Sequence, residues 1–406
     1  MSRTSSNTRK IPLIEKVYGI YCLLSGGLVL VMATFLGGLL ATGNAGDLIA
    51  NSHNTNLTVI LAIVQIVIML AMCVGNVALG VAMLRNRRRH VAQAAYALIA
   101  LNIAGTVVEI MLRGIGENLV SGFVQLVILI AISVTVDPTL KEERRRERLA
   151  RNAELEREAR EGTLGRAKGD RGFIELDFFN LFWVFVVCCV LGLIIETIYH
   201  MVVVEPGVYQ DRAGLLFGPF SPIYGFGAVL MTVALNRFYK ANFLVIFAVS
   251  AVIGGAFEAA TAWFMETAFG AVAWNYSDAT IFGLVADPIA QLTGGGTCLL
   301  FMAMWGVLGM VWIKLCLPAL LKFINLIPWR SRYAVTAVCT ALMLVNGVMT
   351  LEALDCWYER LSGVEPQSPV ERFYARDFDN DYMQKRFQSM DITPEKTART
   401  DVPKDA

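Results

Sequence analysis

Stretches of about 20 apolar residues recur along this chain, and each can satisfy its backbone in hydrocarbon as a helix. The runs fall at residues 17–41, 57–84, 91–112, 119–136, 178–204, 223–238, 243–269, 297–317 and 333–354. Only 17% of the 406 residues are charged, against about a quarter in a soluble domain. Those charges crowd into the segments between the runs. The expectation is an all-α polytopic helical membrane protein with nine transmembrane helices, four plus five, and a charged cytoplasmic linker helix between the two sets. The first run is too long for a signal-peptide core and reads as an uncleaved span. Arg3, Arg9, Lys10 and Lys16 precede it, and Arg85, Arg87, Arg88 and Arg89 follow the second run. By the positive-inside rule the N-terminus and the 85–89 loop are cytoplasmic, and the Lys/Arg-free loop 43–56 is outside.

The same pattern divides the chain into an N-terminal four-helix membrane unit (1–138), a charged linker (139–172), a five-helix membrane domain (173–357) and a polar tail (358–406). In the linker, Arg144, Arg145, Arg146, Arg148 and Arg151 alternate with Glu142, Glu143, Glu147 and Glu154, which favours a solvated helix over a coiled coil. The interleaved acids and the lack of aromatics argue against nucleic-acid binding. The eight cysteines lie in or beside apolar runs without metal-ligand spacing, so they read as buried small hydrophobes. Trp183, Trp274, Trp305, Trp312, Trp329 and Trp357 fall mostly near span ends, where interfacial anchors sit.

Between the fifth and sixth runs, Arg212–Gly227 is the densest set of special residues. Gly218, Pro219, Pro222 and Gly225 break the helical backbone, and broken backbone at membrane depth must pack on protein or line a wet cavity. A rigid corner and a gate for a substrate or ion are equal readings of this block, which also carries Arg212 and Tyr224. By the count of spans, the aromatic loop with Trp274, Tyr276 and Asp278 lies on the same outer face.

Ionisable residues inside apolar runs are expensive and mark polar pathways or helix–helix hydrogen bonds. Glu196 and His200 are one turn apart in the fifth run, and Glu258 lies near the middle of the seventh. Either these acids hold helices together or they handle a cation or proton, with His200 as the local partner of Glu196. A metal site from Glu196, His200 and Glu258 is the weaker alternative, and no metal or cofactor is assigned.

These residues carry a resemblance. Gly192–Tyr199, the block with its Gly-Pro-x-x-Pro-x-Tyr-Gly core at 218–225, Glu258 before Trp263, Trp274–Asp278, Trp305-Gly306 and the tail from Trp357 resemble the bacterial integral membrane family described as putative ABC-transporter type IV, or CmpB-like. The resemblance spans roughly 178–391. Asn275 stands where that family tends to carry Asp, and Gly294–Gly296 where a Gly-Arg pair is expected. It implies a permease component in the bacterial cytoplasmic membrane. No Gly-x-x-x-x-Gly-Lys-[Ser/Thr] loop, Gly-x-Ser-x-Gly or His-Glu-x-x-His occurs, so no enzymatic activity is expected and a separate ATPase subunit would have to supply energy. The expected function is a multi-pass transporter or permease component of unassigned substrate. A non-transporting membrane scaffold or sensor is the alternative. The lipid bilayer is the one partner both readings share.

Overall fold

The computed structural model describes residues 16–27, 55–85, 87–136, 157–158, 172–324 and 329–400. Most of the first apolar run and nearly all of the charged linker lie outside these residues. The chain divides into two compact units, 1–150 with 397–406, and 151–396.

In the first unit, helix α1 covers 16–27, α2 Thr55–Leu84, α3 Arg88–Arg113 and α4 Val120–Val136. Leu79, Met83, Val91, Ala95, Leu98 and Leu129 form its core, with Cys22 of α1 against them. Small residues permit the close approach: a side chain at Gly80 would meet the Gly19 carbonyl at 2.5 Å. Thr397–Thr400 belong to this unit. The Thr58 hydroxyl donates to the Ala398 carbonyl at 3.1 Å, and the Thr400 amide donates to Leu112 O at 2.9 Å.

The second unit begins with α5, Phe178–Tyr199, capped by Asp177, which accepts from the Asn180 amide at 2.8 Å. A π-helical turn at His200–Val204 prolongs it. Helix α6 is Pro222–Leu235, with Pro222 in the first turn, where its missing donor costs nothing. Helix α7, Phe243–Phe269, starts at the Asn242 cap and stops at Gly270, whose φ of 61° is left-handed. A strand β1 (Ala271–Val272), a hairpin of β2 (Thr280–Ile281) with β3 (Val285–Ala286), and a short α8 (Pro288–Leu292) follow. Helix α9, Leu299–Val311, runs through a π turn at Trp312–Cys316 into α10, Leu317–Ile324. Helix α11 spans Trp329–Leu361. Beyond it the polar tail is folded: α12 is Pro369–Asp377, α13 is Asn380–Arg386, and β4, Asp391–Ile392, pairs antiparallel with β1.

Six of the described helices are long and apolar enough to cross a membrane: Asn56–Leu84, His90–Arg113, Phe178–Val204, Phe243–Phe269, Leu299–Ile324 and Arg332–Leu361. The fourth and sixth apolar runs form helices of 17 and 14 residues. At 1.5 Å per residue these reach only about 25 and 21 Å, short of a core of about 30 Å. The sixth run also takes in a 3-10 turn at Asn236–Phe238, and the fourth takes in the end of one at Glu117–Leu119, neither part of the α-helix.

Three tryptophan assignments need correction: Trp357 is fully buried, at 2% exposure. Trp305 and Trp312 are core residues of the second unit, not interfacial anchors, because the bundle itself supplies acceptors for their indole N–H groups. Trp312 Nε1 donates to Thr232 at 2.8 Å. The eight cysteines are unpaired, and six of them are buried.

Candidate functional site

A cavity of about 510 Å³ opens in the second unit between the C-terminal end of α5, the middle of α7, the start of α6, helix α9, the loop at 273–276 and the tail strand β4. Seven of the twelve residues singled out in the sequence line it: Glu196, His200, Arg212, Tyr224, Glu258, Trp274 and Tyr276. The block and the aromatic loop therefore meet at one end of the bundle.

Of the acids that line the cavity Glu258 is the least exposed, at 5%. Three helix or loop groups donate to it: Thr297 Oγ1 at 2.8 Å and Trp305 Nε1 at 3.2 Å to Oε2, and the Tyr276 hydroxyl at 3.4 Å to Oε1. All three donors are neutral. Tyr276 stacks on Phe301, with centroids 4.3 Å apart, and Tyr224 stacks on Trp305 at 6.2 Å. Burial, with the Glu258 charge beside it, pushes the Tyr276 hydroxyl well above the usual phenol range, so it remains a donor. Trp305 is seated by glycine: a Cβ at Gly254 would stand 2.4 Å from its ring. Thr297 and Trp305 were missed in sequence, the first for want of any signal, the second because it was read as an anchor.

Glu196 has a different environment. Arg212 Nη1 lies 3.9 Å from its Oε1, and the Tyr224 hydroxyl is beside it. The expected His200 partnership does not form. One turn of helix brings the two backbones together, but the π turn at His200–Val204 faces the imidazole elsewhere, with Nδ1 3.3 Å from Val208 O and Nε2 3.9 Å from Glu205. Among the described residues no group of three His, Cys, Asp or Glu side chains is placed to hold a metal ion.

The Gly/Pro block divides into cavity and scaffold. Its backbone is satisfied by protein: Thr350 accepts from the Leu216 amide at 2.9 Å, while Asn346 accepts from Phe217 N and donates to Phe217 O. Ser221 N reaches Cys189 O of α5 at 3.0 Å. From the tail, Arg386 donates to Leu215 O and Gly218 O and pairs with Asp211 at 3.0 Å. Gly218 has φ 76°, and Pro219 is exposed. Gly225 packs so closely on α5 that a Cβ would sit 2.4 Å from Cys189 Sγ. Gly218, Pro219, Pro222 and Gly225 thus shape the corner that presents Arg212 and Tyr224, and do not line the cavity. Asp278 is exposed and also lies apart from it.

The aromatic loop closes on glycine. Trp274 Nε1 donates to Gly296 O at 3.0 Å and Tyr276 N to Gly295 O at 2.9 Å. Gly295 has φ 86°, and a Cβ there would lie 2.1 Å from Asn275 Oδ1. Asp287 braces the return: its Oδ1 accepts from Ile289 N and Ala290 N, and its Oδ2 from Leu299 N at the start of α9. The tail completes the cavity with Gln388, Ser389 and Asp391, none of which was singled out in sequence.

Residues 183–351 match the family described as Putative ABC-transporter type IV, the CmpB-like family that the sequence resembles. The match holds the seven cavity residues named above and stops before Arg386 and β4. No curated protein and no solved structure matches the chain.

Proposed function

We propose that this chain is the membrane-embedded component of a transport system, with the cavity around Glu196, Arg212 and Glu258 as its substrate site. The supporting observation is the cavity itself: charged and aromatic groups converge in a roomy space among helices apolar enough for a bilayer. Buried charge at such depth is costly and is kept where it meets solute, ion or proton. The family match agrees with transport and names no substrate.

In this reading the chain is a permease of the bacterial cytoplasmic membrane with a cytoplasmic N-terminus and no catalytic activity of its own. A separate ATPase would dock on Arg85–Arg89, the 141–171 linker, Arg237–Lys240 or residues 322–332. Crosslinking from these segments should capture an ATPase. Recovery of membrane-intrinsic partners alone, with flux insensitive to ATP depletion, would remove the ATP-driven form. One observation favours the scaffold or sensor alternative: the Gly/Pro block is tied down by Asn346, Thr350 and Arg386, as a static corner would be. Thiol labelling of single cysteines at Arg212 and Tyr224 with and without candidate solutes separates the two, since a static corner gives invariant rates.

A further inference from the structure

The charge balance of the cavity is uneven. Arg212 is already opposed by Glu196. Glu258 is bonded only to neutral donors, and among the described residues no Lys, Arg or His lies within ion-pair distance of it. A third acid, Asp391, also lines the space. A carboxylate withdrawn from water needs either a proton or an opposite charge, and the protein supplies no opposite charge beside it.

The walls narrow the choice of counter-charge. Two stacked aromatic pairs flank Glu258, Tyr276 with Phe301 and Tyr224 with Trp305, and Tyr276 and Trp305 are themselves among its donors. Trp274 adds a third aromatic side. Ring faces attract cations whose charge is spread over CH groups, especially where water is excluded. A hard inorganic cation instead needs six or more oxygen ligands, at about 2.0–2.6 Å. The groups bonded to Glu258 offer two hydroxyl oxygens, of Thr297 and Tyr276, and an indole N–H that cannot ligate, short of that number even with both carboxylate oxygens counted. The space of about 510 Å³ is also far larger than a bare ion requires and suits a small molecule.

We propose that the cavity binds a small organic ammonium cation, with Glu258 as its counter-ion and Tyr224, Trp274, Tyr276, Phe301 and Trp305 as its aromatic enclosure. This rests on the transport reading for the cavity's purpose, yet binding can be measured without flux. The test uses the full chain in nanodiscs and calorimetric titration with choline, with its uncharged carbon isostere 3,3-dimethyl-1-butanol, and with sodium chloride. Choline should bind and the isostere should bind at least about tenfold more weakly, as expected for loss of a desolvated cation–π and ionic contact. Glu258→Gln should weaken choline binding by at least about tenfold while the unfolding midpoint stays within a few degrees. Should that variant fail to fold, Phe301→Leu keeps bulk, removes a ring and should weaken choline by about three- to tenfold. Equal binding of choline and its isostere, displacement of choline by sodium at equal concentration, or no choline binding overturns the proposal. Liposome flux of a neutral or anionic solute without choline binding would overturn the cation site and leave transport standing. Choline binding without flux would support the site and remove transport.

Discussion

Glu196 and Glu258 are carboxylates on two helices of the second unit, both lining one cavity, and their surroundings differ in kind. Glu196 is 28% exposed at its side chain and stands opposite a guanidinium. Glu258 is enclosed, and a phenol, a threonine hydroxyl and an indole share its two oxygens. The first acid is answered by a charge within the protein; the second is held by neutral donors alone. Position in a span alone does not tell structural from functional acids. The charge of the partners separates these two.

The comparison is broken most strongly at Glu258. Glu258→Leu strands three buried donors and should cost about 2–4 kcal/mol, read as a lowered unfolding midpoint in detergent. Glu258→Gln retains an acceptor and should cost about 1 kcal/mol. If Leu and Gln are equally mild, the three-donor cluster is not holding α7 against α9.

Packing beneath that cluster gives the next largest effect. Gly254→Ala drives a methyl into the Trp305 ring and should cost about 1–3 kcal/mol, with a shift in tryptophan emission. Gly347 has nothing within 4 Å of its Cβ position, so Gly347→Ala should be neutral or slightly stabilising. Arg386→Ala should follow at about 1–2 kcal/mol, with faster amide exchange at residues 215–218, because two carbonyls lose their donor.

At Glu196 the effect should be small. A double-mutant cycle of Glu196→Gln and Arg212→Gln should give a coupling of about 1 kcal/mol or less, since the pair is 3.9 Å apart and partly exposed. A coupling as large as the Glu258→Leu loss would erase the distinction between the two acids.

The smallest effect is in the tail. Burial tends to raise the Glu371 pKa, but hydrogen bonds from the Ser368 side chain and the Gln367 and Ser368 amides, with Arg372 nearby, outweigh it and hold the carboxyl below its ordinary value. A folded pKa below the unfolded one, about 4.3, contributes stability that is full above that pH and is lost as pH falls through the folded value. Glu371→Gln should remove that contribution and flatten the acid limb of tail unfolding by a few tenths of a kcal/mol.

The elements were legible where a single physical rule governed them. Long apolar runs gave α2, α3, α5, α7 and α11 to within a few residues, except that α11 runs on to Leu361, because length and hydropathy decide helices in hydrocarbon. Seven of twelve proposed site residues line one cavity, among them Glu196, His200 and Glu258, since ionisable groups inside apolar runs are rare enough to be informative. What stayed hidden depended on long-range pairing. Thr297 looks like any threonine until Glu258, 39 positions earlier, is beside it. Arg386 sits 168 positions from the Gly218 carbonyl it holds. The prolines and glycines signalled a break in the backbone correctly, but not which side of the break faces the cavity.

The most direct measurement of the central claim is solute flux into liposomes containing the purified full-length chain, with any ATPase captured by crosslinking added back and ATP supplied. The account predicts uptake or release of a solute, abolished by Glu258→Gln in protein that retains its unfolding midpoint. Vesicles inert to a broad panel of solutes, or flux unchanged by both Glu258→Gln and Glu196→Gln, would contradict it.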